Sequence, residues 1–222
     1  MSLLKKYILF MIGTAIQSAG IALVVKGLLG TSPISSIPYV LSLAMPYTFG
    51  ETTFVVNMLL VLGQILLLRH KFHKVQFLQV PITFFFAYMI DVFMAVFAFV
   101  EPTLYPYKIL TLLLGATGVS MGVALQVIAN VLMLPGEGIV YAISQTFSKD
   151  FGKVKTVFDC TLAISAILIS VIFMGDIEGV REGTIISALV TGSIARFFIH
   201  RLSYVDETGQ LVFSLSFQKS IC

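Results

Sequence analysis

Slid over itself by 102 positions, the sequence matches without a gap. Gly13 falls on Gly115, Gly20 on Gly122, Ala22 on Ala124, Leu23 on Leu125 and Val25 on Val127. Pro33 then meets Pro135, Ile37 meets Ile139, Tyr39 meets Tyr141, Ser42 meets Ser144, and Phe49-Gly50 lands on Phe151-Gly152. Val55 lands on Val157, and Asn57 on Asp159, a near match in shape and a full difference in charge. Apolar residues match by chance in such a chain, but glycines, prolines, tyrosines and a Phe-Gly pair in one register do not. The chain is a duplicated unit, and a repeat constrains the fold before any local reading does. Each copy carries a helix breaker between apolar runs: Ser32-Pro33-Ile34-Ser35-Ser36 in the first, Leu134-Pro135-Gly136-Glu137-Gly138 in the second.

The apolar runs need a bilayer. Hydrophobic residues make up 58% of the chain and charged residues 11%, with a mean hydropathy of +0.99. Soluble domains hold about 45–50% apolar and about 25% charged residues. Spans of roughly 18 or more apolar residues are expected at about 7–29, 52–68 and 75–100 in a first repeat (1–100). The second repeat (109–200) should span at about 109–133, 156–174 and 184–199. Residues 101–108 form a hinge, and 201–222 a tail in which Asp206-Glu207-Thr208-Gly209 before Leu211-Val212-Phe213 suits a small hairpin. Two stretches, 34–45 and 136–147, are too short to cross a hydrocarbon core of about 30 Å. The N-terminal run has no small-residue cleavage site and reads as a retained helix.

Lysine and arginine set the orientation. With three spans per half and the N-terminus inside, the cytoplasmic segments carry Lys5, Lys6, Arg69, Lys71, Lys74, Lys149, Lys153, Lys155, Arg201 and Lys219. The outer segments carry only Lys108 and Arg181, with Lys26 near an outer helix end. This is the positive-inside pattern, and it puts both termini in the cytoplasm. An odd number of spans per repeat inverts one half relative to the other. The expected fold is an all-α membrane protein of six transmembrane helices, arranged as two inverted three-helix repeats, each with a short re-entrant or broken helix. Secondary transporters share that plan and bind near the midplane, although fold alone does not define function.

The duplicated Gly-x₆-Gly-x-Ala-Leu-x-Val span (Gly13 to Val25, Gly115 to Val127) leads to a Gly-Thr-Ser-Pro or Leu-Pro-Gly-Glu-Gly break. Phe-Gly-Lys-Val-Lys, Phe158-Asp159 and Arg181-Glu182-Gly183-Thr184 follow. Over about residues 7–200 this pattern resembles the YczE/YyaS/YitT group of small bacterial membrane proteins. The YitT-like members carry a soluble C-terminal domain, so the chain looks closer to the YczE-like branch. The resemblance implies residence in the bacterial inner membrane and names no substrate.

An ionisable residue inside a span is costly and needs a reason. Asp159 lies four residues after Lys155; either the two pair near the inner interface, or Asp159 faces the bundle and handles a proton, cation or amine. Asn57 would then be its neutral counterpart. Glu137, between Gly136 and Gly138 and just after Pro135, either starts a short helix or selects a cationic ligand or accepts a proton. Pro33, Ser35 and Ser36 would line the site from the other half, and Asp91 is a third candidate for ion or proton coupling. Tyr39 and Tyr141 suit packing as well as hydrogen bonding. Arg196 can snorkel to the inner interface, and Arg181-Glu182 suit the start of the last span.

His70, His73 and His200 sit at the rim without metal-ligand spacing. Cys160 and Cys222 give no disulfide framework. Trp is absent, so Tyr47, Tyr105 and Tyr107 must serve as interfacial aromatics. No catalytic motif is present, and no enzyme, cofactor or metal is expected. A net charge of +3 gives no field for nucleic acid. The expected partners are the lipid bilayer and a small polar solute, with a homodimer as an option. The expected function is small-solute transport across the bacterial inner membrane; the alternative is a non-transporting scaffold for a partner enzyme or exporter.

Overall fold

The computed structural model describes residues 2–69, 72, 74–205 and 211–213. Eight α-helices are present among them: α1 (Leu3–Lys26), α2 (Pro33–Ala44), α3 (Phe49–Leu68), α4 (Gln79–Val96), α5 (Tyr105–Ala129), α6 (Pro135–Phe147), α7 (Phe151–Met174) and α8 (Glu182–Leu202). A 3-10 turn, Lys74–Leu78, leads into α4. All but α2 and α6 are long and apolar enough to cross a membrane, six candidate spans in total. The chain is an all-α, multi-pass membrane protein. α2 and α6, with 12 and 13 residues, reach only about 18–20 Å.

Helix starts recur at the spacing of the sequence repeat. Leu3, Pro33 and Phe49 open α1, α2 and α3; Tyr105, Pro135 and Phe151 open α5, α6 and α7, each 102 positions later. The chemistry recurs too. Leu28 (φ 58°) and Asn130 (φ 46°), equivalent residues, both take the left-handed conformation that ends α1 and α5. Pro33 and Pro135 both stand in the first turn of the short helices, where the missing N–H costs nothing. Thr48 and Asp150, again equivalent, cap α3 and α7 by accepting from the N–H of Glu51 and Lys153 at 3.0 Å.

α1 and α5 cross at the centre, running antiparallel with backbone against backbone. A Cβ built on Gly13 would stand 2.8 Å from the Gly122 carbonyl, and one on Gly20 2.7 Å from the Gly115 carbonyl. Gly122 and Gly115 are themselves the repeat equivalents of Gly20 and Gly13. Lipid supplies no hydrophobic drive for helix association, so close approach and van der Waals contact must hold the pair. Gln126 strengthens it, donating to Gln17 at 2.7 Å and to Thr14 at 3.3 Å.

The other helices hang on this pair. α4 packs on α1, where the Ser18 hydroxyl reaches the Phe86 carbonyl at 3.2 Å. α8 packs on α5, where the equivalent Ser120 reaches the Thr191 carbonyl at 3.1 Å. Each short helix lies against the long helix of the other half, α2 on α7 and α6 on α3. Among the described residues the halves differ chiefly in one relation: α3 packs along α4, but α7 and α8 share no comparable packing. The Phe54 and Phe84 rings meet edge-on at 5.9 Å in the closed seam. Thr156 occupies the position equivalent to Phe54.

α8 is tied back to the end of α1. The Gly183 N–H donates to the Leu29 carbonyl at 2.8 Å, and the Thr184 hydroxyl accepts from the N–H of Thr31 at 3.3 Å and of Arg181 at 3.4 Å. After α8, β1 (Ser203–Val205) pairs antiparallel with β2 (Leu211–Phe213), Tyr204 opposite Val212. The turn expected at 206–210 lies outside the described residues, as do His70, Lys71, His73, Lys219 and Cys222.

The glycine crossing generates a stability prediction. Gly20→Ala, which meets backbone atoms closer than 3.0 Å, should cost roughly 1–3 kcal/mol or more. Gly192→Ala, with nothing within 4 Å, should be neutral or slightly stabilising. Thermal unfolding of the two variants in detergent checks the difference.

Candidate functional site

The starts of α2 and α6 meet in the middle of the bundle. Gly136 has no side chain, and the Ile34 side chain fills the space a Cβ would take. Ile34 and Gly136 are repeat equivalents, so the short helices touch at matching residues. Two buried glutamines fix the start of α6. Gln64 and Gln79 exchange amide hydrogen bonds at 3.3 Å, and the Gln64 Nε2 also donates to the Pro135 carbonyl at 3.2 Å. Gly138 is required beneath it, because a Cβ there would run into the Gln64 amide. α2 is held by the Thr52 hydroxyl, which donates to the Pro38 carbonyl at 2.8 Å.

Beside this meeting point lies a cavity of about 480 Å³, within the range that holds a small molecule. Its lining falls largely into residue pairs 102 apart: Gln17 with Val119, Ile21 with Val123, Ser32 with Leu134, and Ile34 with Gly136. Ser35 with Glu137, Thr53 with Lys155, Asn57 with Asp159, and Phe86 with Ala188 complete the set. The unpaired remainder comes mainly from α7 and α8, including Thr156, Ser187, Thr191, Gly192 and Arg196. Thr156, Gly192 and Arg196 are also exposed, so the cavity reaches the surface through the loose α7–α8 seam.

The second half supplies all the charge. Lys155 Nζ pairs with Asp159 Oδ1 at 2.7 Å, one turn apart on α7. Both face the cavity, so pairing and lining coexist. Glu137 is within electrostatic reach of both but makes no hydrogen bond or ion pair with another residue among those described. Arg196, at the mouth, has no ion-pair partner among the described residues either. In the same lining, the Asn57 Nδ2 donates to the Thr53 carbonyl at 2.9 Å, and among the described residues its Oδ1 accepts no hydrogen bond. The N-cap residues Ser32 and Leu134 make no side-chain cap bond to α2 or α6. The Ser32 hydroxyl bonds instead to Ser35 Oγ at 3.1 Å.

Of the residues singled out in the sequence, Pro33, Ser35, Asn57, Gly136, Glu137 and Asp159 line the cavity. Ser36, Pro135 and Gly138 are its frame: the Ser36 hydroxyl donates to the Ser32 carbonyl at 3.0 Å, and the other two seat Gln64. Asp91 is elsewhere. Its carboxylate accepts from the Thr48 hydroxyl at 2.6 Å and the Gly50 N–H at 2.7 Å, closing the start of α3. Tyr39 packs edge-on against Phe49 at 5.4 Å, and neither Tyr39 nor Tyr141 lines the cavity. The sequence reading passed over Gln17, Thr53, Thr156, Ser187 and Thr191. The signal was there in α8: Ser187, Thr191 and Ala195, four apart, form a stripe of small residues in an otherwise apolar span.

Helix pairs crossing at glycines, two half-length helices meeting end to end and a charged cavity beside them define a multi-pass membrane protein with one internal polar site. The family of unknown function DUF6198 matches residues 4–200, and the chain belongs to that family. No curated protein and no solved structure matches it.

The glutamine pair generates a test of the frame. Gln64→Leu alone strands the Gln79 amide and the Pro135 carbonyl, at an expected cost of roughly 1–3 kcal/mol. Gln64→Leu with Gln79→Leu should recover part of that loss, because a matched apolar pair leaves fewer buried groups unpaired. A double-mutant cycle by denaturant unfolding in detergent measures the coupling.

Proposed function

We propose that the chain is a small-solute transporter of the bacterial inner membrane, with its site at the interface of two inverted repeats and both termini cytoplasmic. The observation that carries this reading is the cavity lining: residues 102 apart in sequence line one space together. A site on a pseudo-two-fold axis is where inverted-repeat transporters bind. The antiparallel α1–α5 crossing, with Gly13 on Gly122 and Gly20 on Gly115, is the contact such an axis requires. The naming as a YczE-like protein within the YczE/YyaS/YitT group belongs to the same proposal. The cavity is formed within one chain, so no second copy is needed for binding.

Transport requires the site to face each side in turn. In this reading the loose α7–α8 seam is the cytoplasmic opening, and the packed α3–α4 seam is its closed counterpart. Exchange of the two seams would turn the site outward. The plan makes that exchange cheap, because each seam is lined by equivalent positions of one repeated unit.

The experiment places a cysteine at Thr191 in a background carrying Cys160→Ser and Cys222→Ser. A membrane-impermeant maleimide should label it in vesicles of either orientation. Cross-linking Phe54→Cys to Phe84→Cys should stop labelling from the outer face and leave labelling from the cytoplasmic face intact. Labelling from one face alone, unchanged by the cross-link, would overturn the transporter reading.

A further inference from the structure

The cavity offers complementary partners for two opposite charges at adjacent places. Glu137 is a carboxylate facing the cavity with no cationic partner in contact, while Lys155 and Asp159 satisfy each other. A lone carboxylate at this depth is costly, and a bound cation removes that cost. Asn57, about nine-tenths buried, lines the same space, and among the described residues its Oδ1 accepts no hydrogen bond. Both oxygens suit an ammonium group.

Immediately beside them, α2 and α6 present first turns that take no cap bond from the side chain of Ser32 or Leu134. The N–H of Gly136 belongs to the residue adjoining Glu137, and that of Ile34 to the residue it packs against. Backbone N–H groups at the ends of two facing half-helices are a carboxylate-binding arrangement. The hydroxyls of Ser32 and Ser35 stand at the same spot. Ile21, Phe86, Val119 and Val123 form an apolar part of the wall.

We infer that the solute is a small α-amino-acid-like zwitterion: ammonium on Glu137 and Asn57, carboxylate on the starts of α2 and α6, side group against the apolar wall. Single-charge ligands satisfy only half of this arrangement. An amine leaves the two helix ends without an anion, and a carboxylate alone is repelled by Glu137. The inference rests on the cavity being the solute site of the proposed transporter.

The test is a thermal-unfolding screen of the full chain in detergent. The probes are the common L-amino acids, the matching decarboxylated amines and the matching deaminated acids. At least one amino acid should raise Tm saturably, while its amine and its acid at the same concentration do not. Ligand binding to the folded state alone produces such a shift. Glu137→Gln should weaken that binding by roughly ten- to a hundredfold; Leu189→Ala, a lipid-facing change, should leave it intact. The unliganded Tm of Glu137→Gln reports whether the variant folds, and Asn57→Leu provides a second reading of the ammonium position.

The inference is overturned if no amino acid raises Tm, if an amine or an acid alone matches its parent, or if Glu137→Gln and Asn57→Leu both bind as wild type. Binding that meets these expectations while the Thr191 cysteine is labelled from one face only would keep the ligand class and remove transport.

Discussion

The structure depends on two backbones being able to touch. Within a bilayer, apolar side chains gain little by leaving lipid for protein, so helices associate where small residues bring many atoms into contact. α1 and α5 do this through glycines, each facing the repeat equivalent of the other's neighbour. The consequences are geometric. The crossing orients Ser18 and Ser120 outward on opposite flanks, and each hydroxyl, shared with a carbonyl of its own helix, also meets a backbone carbonyl of one further span, α4 or α8. Move the crossing apart by the width of a methyl group and both flanking helices lose their reference point.

That frame lets the chain keep two half-length helices packed among its six candidate spans. Backbone away from a continuous helix has unpaired N–H and C=O groups, which lipid cannot satisfy; such segments survive only when buried in protein or lining a polar cavity. Both solutions occur here. The Pro135 carbonyl is taken by Gln64, itself paired with Gln79 in a closed amide ring. The break after α1 is satisfied by Gly183 and Thr184 of α8. The Ser35 N–H is taken by the Ser32 carbonyl and the Gly138 N–H by the Leu134 carbonyl, while Ile34 and Gly136 of the same first turns border the cavity. The polar site is thus where the backbone accounting of the two breaks is completed, and its place follows from theirs.

Much of this was legible in the sequence because the repeat is strict where geometry is strict. Glycines at the crossing, prolines opening the short helices and Phe-Gly opening α3 and α7 each answer a backbone requirement that other residues meet poorly. The same repeat marked Ser35, Asn57, Gly136, Glu137 and Asp159, which line one cavity. Asp91 shows the limit. A carboxylate in an apolar run signals that it needs partners, but the partners were Thr48 and Gly50, forty positions away and supplied by packing. Gln17, Gln64, Gln79 and Gln126 were silent for a related reason: an amide in a span has no charge to flag it, and its role depends on what it faces across the bundle.

Where the halves differ, they differ in volume, and volume decides the direction in which the cavity opens. The serine hydrogen bonds align Phe86 of α4 with Thr191 of α8, three positions beyond the 102-residue register of the sequence. Ile82, Phe86 and Ile90 then stand opposite Ser187, Thr191 and Ala195 in the repeated plan. The first stripe is bulky and buried in the apolar core; the second is small and leaves space along α7. Phe54 closes the α3–α4 seam against Phe84, and its equivalent Thr156 leaves the α7–α8 seam open. All four charged groups of the cavity, Glu137, Lys155, Asp159 and Arg196, also lie on the second half, with Arg196 exposed at the opening. One backbone plan used twice thus gives a closed apolar side and an open charged side. The asymmetry resides in a few side chains at the two seams rather than in the fold.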